Sequence, residues 1–395
     1  MFRPLSPQSI IRGLTTAALL LGSASPVPVR AEATAQETMN ALIEQGLREI
    51  YNLDYANARK SFNALQTQFP QHPIGLYGLT TTLWWELTND YDENNPTLER
   101  EFLASADRSI DQSRRILKEK GPDTDAARLC LGGALGLKAR WSAIQGHWLA
   151  AYREGKQAFD VQQAAIEHDP TLYDAYLGVG IFHYYVAVLP AAVKVMARMI
   201  FGGSKEQGLR EINIARHQGQ FSRTAALLFL VNIYVNNEKD PATALTLLRE
   251  GRREFPESPF FHFTELLLLD EARDWAALRA EAEDFLARVH RHDAHYDERR
   301  EHMGLFALAN SYQIEGNLPR ALALYDDILA RFSKEDRWIT LCYLRRGMTQ
   351  DLLGHRDQAL ADYRTVMKRR DVWGLHDKAK ALIRRPHQPP EPRRP

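Results

Sequence analysis

Apolar residues recur at three- and four-residue spacing along most of the chain, and strict alternation of apolar with polar residues is rare. The first spacing places apolar side chains on one face of an α-helix, whereas alternation is typical of a β-strand. The sequence therefore predicts an all-α protein. A helix with one apolar face must bury that face against a neighbour, so we also expect the helices to stack on one another.

Small residues, an aromatic residue and a proline repeat at fixed positions within this helical pattern. In residues 39–72 they are Gly46, Ala58, Phe62 and Pro70. The small residues permit two helices to cross closely, the aromatic ring fills the next gap, and the proline ends the second helix. The same pattern predicts three further units, which span residues 225–258, 302–335 and 340–373.

This pattern resembles the tetratricopeptide repeat (TPR), a pair of antiparallel helices in about 34 residues. The resemblance implies a right-handed TPR-type α-solenoid over residues 34–383, with an atypical helical insertion at its centre. It also implies a non-catalytic scaffold that binds a partner in the concave groove. One degenerate unit has Gly146 as its first small residue and Gln162 in place of the aromatic residue.

The atypical centre covers residues 173–214, where an aromatic, glycine-containing helix is followed by a proline break, a basic apolar helix and a glycine-rich turn. It resembles the tetratricopeptide repeat protein 39 family, which is linked to the mitochondrial outer membrane and to inclusion-body clearance, and its bacterial relatives. The matching residues are Gly178, Gly180, Pro190, Phe201, Gly202, Gly203 and Gly208. The resemblance implies a helical scaffold without catalytic residues.

The N-terminus has the layout of a secretory signal. Arg3 and Arg12 precede a short apolar run at residues 14–24, and small residues follow. This layout predicts a signal peptide over residues 1–33, and the alternative is an amphipathic start that is not cleaved. We therefore expect an exported protein that is periplasmic or associated with a bacterial cell envelope.

The charge balance and the absence of catalytic motifs limit the function classes. Fifty basic residues balance 50 acidic ones, so the sequence predicts no nucleic-acid partner. Residues 384–395 predict a disordered basic tail that is rich in proline. Motifs for a nucleophile or a phosphate loop are missing, so we expect no enzyme and no cofactor. An enzyme would need a cleft near Trp84, Trp141 and His183.

One cluster contains several residue types that ligate metals. Its members are His290, His292, His295 and His302 with Asp293, Asp297 and Glu298. The His-Glu-x-x-His pattern is absent, and Arg291, Arg299 and Arg300 would repel a cation. We therefore predict a solvated segment between helices and no metal site, with metal binding as the alternative.

Positions that face the groove in a TPR unit predict where a partner binds. In the units at 225–258 and 302–335 the predicted contacts are Phe229, Ile233, Asn236, Met303, Phe306, Asn310 and Gln313. Apolar and amide side chains together suit an extended or helical peptide. The sequence therefore predicts a protein or peptide partner.

The alternative function is binding to a lipid or membrane surface through residues 190–201. Lys194 and Arg198 lie four residues apart on one face of this predicted helix, and its apolar residues include Met199 and Phe201. Such a helix can lie on an anionic membrane. The other interpretation is that the helix fills the inner face of the solenoid while its cations reach water.

Overall fold

The computed structural model describes residues 28–89, 95–121, 123–188, 203–332, 337–371 and 374–388. Within these ranges the chain is predominantly helical and has no β-strand, which confirms the all-α prediction. The α-helices of the described residues are α1 (Pro28–Tyr51), α2 (Tyr55–Gln68), α3 (Ile74–Asn89), α4 (Pro96–Glu119), α5 (Thr124–Ile144), α6 (Trp148–His168), α7 (Ala175–Val188), α8 (Lys205–Gln218), α9 (Arg223–Ile233), α10 (Pro241–Glu254), α11 (Pro259–Ala272), α12 (Trp275–His290), α13 (Glu301–Ile314), α14 (Leu318–Arg331), α15 (Arg337–Leu352), α16 (Arg356–Lys368) and α17 (Leu375–Arg384).

The helices form antiparallel pairs that stack in chain order. Each helix packs on the next one along the chain, from α1 on α2 to α16 on α17. Odd-numbered helices also contact one another directly, as α3 contacts α5 and α13 contacts α15. The odd-numbered helices therefore lie on the inside of the curve. This nearest-neighbour stacking is that of an α-solenoid, as the sequence predicts.

The aromatic residue of the repeat pattern fills the gap between the inner helices of successive pairs. Phe62 is 1% exposed. A Cβ atom on Gly46 would lie 2.6 Å from its ring, and one on Gly78 would lie 2.0 Å from it. Tyr363 packs on Gly347 in the same manner. The glycines are thus required because a side chain at these positions would overlap the aromatic ring. The bounds of the individual repeat units remain predictions.

The α5–α6 hairpin corrects the predicted register of the degenerate unit. Gly146 lies in the turn with φ +75° and not on the inner helix. Gln162 packs instead on Gly132 and Gly178, and a Cβ on Gly178 would lie 1.6 Å from its Oε1 atom. Gln162 therefore occupies the place of the aromatic ring because glycines flank it on both inner helices.

The corrected register makes this hairpin longer than a regular repeat. Ala158 follows Gly132 by 26 residues, whereas Ala58 follows Gly46 by 12. The additional 14 residues correspond to about two helical turns in each helix, which extends the hairpin by roughly 10 Å. The α5–α6 tip therefore projects beyond the edge of a regular solenoid.

Glycines in the central segment permit close contact between α7 and α8. A Cβ on Gly208 would lie 2.6 Å from the carbonyl oxygen of Gly180. Gly203 has φ +80° and lies against the His183 ring. Gly180 and Gly208 thus permit close packing of the two helix backbones, and Gly203 permits the turn before α8. Pro190, Phe201 and Gly202 of the same motif lie outside the described residues.

Several predictions fall wholly or partly outside the described residues. Lys194, Arg198, Met199 and Phe201 of the alternative membrane helix are among them. Helix α1 begins at Pro28, inside the predicted signal peptide, and the described chain stops at residue 388. Among the helices that the structure describes, none combines the length and apolar composition needed to cross a membrane.

Side chains join the first helices to helices far along the chain. The Ser258 hydroxyl donates to the backbone oxygen of Tyr51 at 2.5 Å, across 207 residues of sequence. The rings of Tyr51 and Phe255 lie 5.3 Å apart, and those of Trp85 and Phe260 lie 5.0 Å apart. These contacts tie α1 and α3 to the start of α11, so the superhelix closes on itself after α11.

A second contact joins the inner helices still further along the chain. The Arg337 guanidinium donates to the backbone oxygen of Thr88 at 2.7 Å, across 249 residues of sequence. The start of α15 therefore lies against the end of α3.

Candidate functional site

Three predicted partner contacts on α13 are buried in the solenoid. Phe306 is 5% exposed, and its ring lies 6.0 Å from that of Trp338 on α15. Asn310 is 1% exposed, and its amide donates to the Asp270 carboxylate of α11 at 2.6 Å. Gln313 is also buried. The adjacent inner helices cover these side chains, so a partner reaches them only if α11 or α15 moves.

The four remaining predicted contacts differ in accessibility. Ile233 is fully buried, Phe229 and Met303 are partly buried, and Asn236 is exposed. Asn236 belongs to a single π-helical turn, Tyr234–Glu238, that continues α9. Such turns often present side chains at binding sites. Phe229 and Asn236 therefore retain surface that a partner can reach, and their contact with a partner remains a prediction.

Phe229 lies beside an arginine that the repeat pattern did not indicate. The Arg140 guanidinium of α5 lies 5.3 Å from the centre of the Phe229 ring and 5.4 Å from that of Trp84. The Arg140 side chain remains exposed, whereas Trp84 is buried. Two aromatic rings attract and orient this cation. Arg140 is therefore held in place at the surface of the inner helices.

Tyr185 and Asn232 complete the same surface. The Tyr185 hydroxyl donates to the Asn232 side-chain oxygen at 3.3 Å. Burial raises the pKa of Tyr185 above its ordinary value, and the positive charge of Arg140 opposes that increase. We call Arg140, Tyr185, Phe229, Asn232 and Asn236 the inner patch. It combines one cation, two aromatic rings and two exposed amides on α5, α7, α9 and the π-helical turn that follows α9.

The helices around the inner patch carry little negative charge. Helices α7 and α9 contain no acidic residue. On α3 the Glu86 carboxylate pairs with Arg59, and on α5 the Asp125 carboxylate pairs with Arg128 at 2.6 Å. Both of these carboxylates therefore already have arginine partners. The inner patch suits an anionic or mixed acidic and aromatic ligand.

Arg140 was not identified from the sequence, because partner contacts were predicted only for the units at 225–258 and 302–335. With Gly146 as the eighth residue of its unit, Arg140 would be the second residue of a regular inner helix. With Gly132 in that place, Arg140 lies near the end of a long inner helix. The glycine pair at 132–133 is the sequence signal for the correct register, because both glycines lie under side chains of neighbouring helices.

The residues around which an enzyme cleft was considered, Trp84, Trp141 and His183, are buried in the packing between helices. The Trp84 and Trp141 rings lie 6.3 Å apart and both pack with Phe102 in a buried cluster. His183 is also buried, and its Nδ1 atom hydrogen-bonds the Glu211 carboxylate at 2.6 Å. The tryptophans stabilise the extended part of α5, and His183 joins α7 to α8. The prediction that the protein is not an enzyme remains a prediction.

The predicted histidine cluster does not converge on one point. His290 pairs with Glu301 at 3.2 Å, His295 lies 4.0 Å from Asp54, and His302 is buried. An open cleft of about 590 Å³ lies beside this segment. The residues that line it are Leu53, Asp54, His292, His295, Tyr296, Asp297, Glu298, Arg299 and Arg300. Both signs of charge line the cleft, so it has no uniform ligand set for a metal.

In a second group, potential metal-ligating atoms of three side chains lie within 4.8 Å of one another. The three residues are His262, Glu281 and Asp284. Arginines already neutralise both carboxylates: Arg252 bonds Glu281 at 2.6 Å, and Arg288 bonds Asp284 at 2.9 Å. The Nε2 atom of His262 lies 3.1 Å from the backbone oxygen of Glu281. The group is an ion-pair network that holds α10, α11 and α12 together.

This network predicts a pH-dependent contribution to stability. Hydrogen bonds from His262 and Arg252 lower the pKa of Glu281 to about 2, against about 4.3 for an unfolded glutamate. The stabilisation is therefore fully present above about pH 5 and is lost as the pH falls towards 2. We expect Glu281→Gln to lower the urea midpoint at pH 7, with a smaller difference from the unsubstituted protein at pH 3.

The control for this prediction is Glu283→Gln, because Glu283 is exposed on the same helix. Its urea midpoint should follow that of the unsubstituted protein at every pH. If the difference in urea midpoint between Glu281→Gln and the unsubstituted protein were the same at pH 7 and at pH 3, the ion-pair network would make no pH-dependent contribution to stability.

Comparisons with known proteins give similarity to solved structures alone. No protein-family model and no curated protein matches the chain. The human IFIT1 dimer with m7Gppp-AAAA has 15% identity and a TM-score of 0.38, over 88% of this chain and 87% of that one. The human IFIT1 dimer with PPP-AAAA has 14% identity and a TM-score of 0.37, over 89% and 86%. Similarity at this level identifies no ligand for this chain.

These structures nevertheless correct one prediction from the sequence. The IFIT1 structures hold capped or triphosphate oligonucleotides. The exclusion of nucleic acid as a partner was wrong, because a formal charge of zero over a whole chain does not determine the charge of one surface. The inner patch, with its exposed arginine, is such a surface.

Proposed function

We propose that the protein is a non-catalytic helical-repeat scaffold that holds an acidic segment of a partner protein on its inner patch. The exposed Arg140 guanidinium between the Trp84 and Phe229 rings is the observation that supports this proposal. A carboxylate of the partner would pair with Arg140, and the ring of Tyr185 would contact apolar side chains of the same segment. Asn232 and Asn236 supply hydrogen-bonding groups.

The inner patch is favourable for a carboxylate because two rings already orient the arginine. Binding then costs less side-chain entropy than it would for an unrestrained arginine. The predicted signal peptide supports placing this function in a bacterial cell envelope.

The experiment uses the full chain with a photo-crosslinking amino acid at Asn236, which is an exposed residue of the inner patch. After illumination of the protein with an envelope fraction, we expect a discrete protein adduct. Arg140→Glu should weaken adduct formation by roughly tenfold or more, because it replaces an attraction with like-charge repulsion. The matched control is Arg210→Glu, an exposed arginine on outer helix α8 that should leave the adduct unchanged.

Two results would contradict the proposal. An adduct of unchanged yield in Arg140→Glu would show that the partner does not use the inner patch. An adduct that ribonuclease converts back to the mass of the unmodified chain would identify a nucleic acid as the ligand. Binding of single-stranded RNA to the unsubstituted protein, measured by fluorescence anisotropy, would confirm the second result.

The alternative proposal from the sequence is membrane binding through residues 190–201. The charged and apolar spacing of that segment supports it, and the segment lies outside the described residues. Its test is Lys194→Glu with Arg198→Glu in a vesicle flotation assay. Loss of flotation would favour the membrane function of this segment.

A further inference from the structure

Large exposed apolar side chains gather at the tip of the α5–α6 hairpin. Trp148 is 72% exposed, Leu149 63%, Tyr152 51% and Ile144 40%. The first three lie on one side of the first two turns of α6. Scattered apolar residues are normal on a protein surface, whereas a contiguous group of this size marks a binding site.

The apolar tip stands out from the solenoid instead of lining a groove. The corrected register extends this hairpin by roughly 10 Å. One side of the extension is anchored, since the buried Trp141 ring packs 6.2 Å from Phe102 and its nitrogen donates to Glu99 at 3.1 Å. The other side carries Trp148, Leu149 and Tyr152. The apolar tip is therefore a supported, convex projection.

The end of α7 lies at the same edge and is also apolar. The Phe159 ring of α6 stacks on that of Phe182 at 4.4 Å. Tyr152 comes two turns before Phe159, and Val188 comes nearly two turns after Phe182. Because α6 and α7 run in opposite directions, Tyr152 and Val188 lie towards one edge. Tyr185 and Val188 are exposed there as well.

Two arginines, Arg140 and Arg153, flank the apolar tip, and residues 140–153 contain no acidic residue. Glu154 follows, and its carboxylate accepts a hydrogen bond from the Ser142 hydroxyl at 2.8 Å. Arg153 is exposed and directly follows Tyr152. A convex tip that combines exposed apolar and aromatic side chains with arginines is suited to entering the headgroup layer of a membrane. Tryptophan and tyrosine beside cations are typical of the membrane–water interface.

We propose that the apolar tip, formed by Ile144, Trp148, Leu149 and Tyr152, inserts into the headgroup region of an anionic lipid membrane. Interfacial elements insert by about 5–10 Å, which matches the projection of this hairpin. The Trp148 and Leu149 side chains enter the acyl boundary, and Arg153 pairs with lipid phosphates. The apolar tip adjoins the inner patch, because Arg140 and Tyr185 of that patch lie near the same ends of α5 and α7.

The test measures co-sedimentation of the full chain with phosphatidylcholine vesicles that contain or lack phosphatidylglycerol. We expect Trp148→Ser with Leu149→Ser and Tyr152→Ser to weaken binding to the anionic vesicles by roughly tenfold or more. The matched control is Ile314→Ser, because Ile314 is an exposed apolar residue at the end of α13. Its binding should equal that of the unsubstituted protein.

A second variant keeps the test informative if the triple variant misfolds. Arg153→Glu changes one exposed charge, so it should weaken binding to anionic vesicles severalfold and leave binding to neutral vesicles unchanged. Equal binding of the triple variant and the unsubstituted protein would overturn the proposal. It would also fail if the unsubstituted protein ignored anionic vesicles but formed dimers that the triple substitution abolished, since a second copy would then cover the tip.

Discussion

Phe62→Ala is expected to lower the free energy of unfolding by about 3–5 kcal/mol. The Phe62 ring is buried between Gly46 on α1 and Gly78 on α3. Because both neighbours are glycines, neither has a side chain that can move into the space left by the ring. The cavity therefore persists, and its cost adds to the lost burial of apolar surface. Urea unfolding followed by far-UV circular dichroism measures the change.

Ile314→Ala is the control for this measurement, because Ile314 is exposed and should change stability by about 0.5 kcal/mol or less. A loss below about 1 kcal/mol in Phe62→Ala would show that α1 and α3 move together to close the gap. The interpretation that the aromatic residue sets the spacing between successive inner helices would then be wrong.

Gly208→Ala is expected to destabilise the protein by roughly 2–3 kcal/mol. A Cβ at this position would lie 2.6 Å from the Gly180 oxygen and 2.6 Å from the Tyr184 nitrogen. Both are backbone atoms, so no rotamer change relieves the contact and α7 must move away from α8. Alanine is favoured over glycine inside a helix by about 1 kcal/mol, which is too little to compensate.

Gly155→Ala separates these two effects in the same unfolding experiment. Gly155 is also inside a helix, but a Cβ there would meet nothing closer than 3.8 Å. We expect this variant to be more stable than the unsubstituted protein by up to about 1 kcal/mol. If Gly208→Ala were as stable as Gly155→Ala, the contact between α7 and α8 would be looser than the structure shows.

The repeat pattern was sufficient to predict the fold class and much of its local packing. Helical periodicity is a local property of the sequence, and each pair of a solenoid packs mainly on its chain neighbours. The contact of Phe62 with Gly46 depends on residues close in sequence. The same is true of Tyr363 and Gly347. Such contacts are visible as fixed spacings before any coordinates are known.

The length of the α5–α6 hairpin could not be predicted from the spacing of small and aromatic residues. Gly146 has the expected distance from Ala158, yet it lies in a turn, and Gly132 takes the place on the inner helix. Two helices that lengthen together keep their apolar periodicity, so the pattern alone does not show the insertion. The projecting apolar tip around Trp148 became apparent when the packing of Gln162 established which glycine faces it.

The sequence by itself determined that this chain forms stacked helix pairs, and partner contact by Phe229 and Asn236 stays a prediction. Only the tertiary structure decided that Phe306 and Asn310 are enclosed and that Arg140 joins Phe229. The reason is that superhelical curvature is the sum of small rotations at every interface between pairs. Small differences in hairpin length and crossing distance therefore decide which inner side chains meet across the axis.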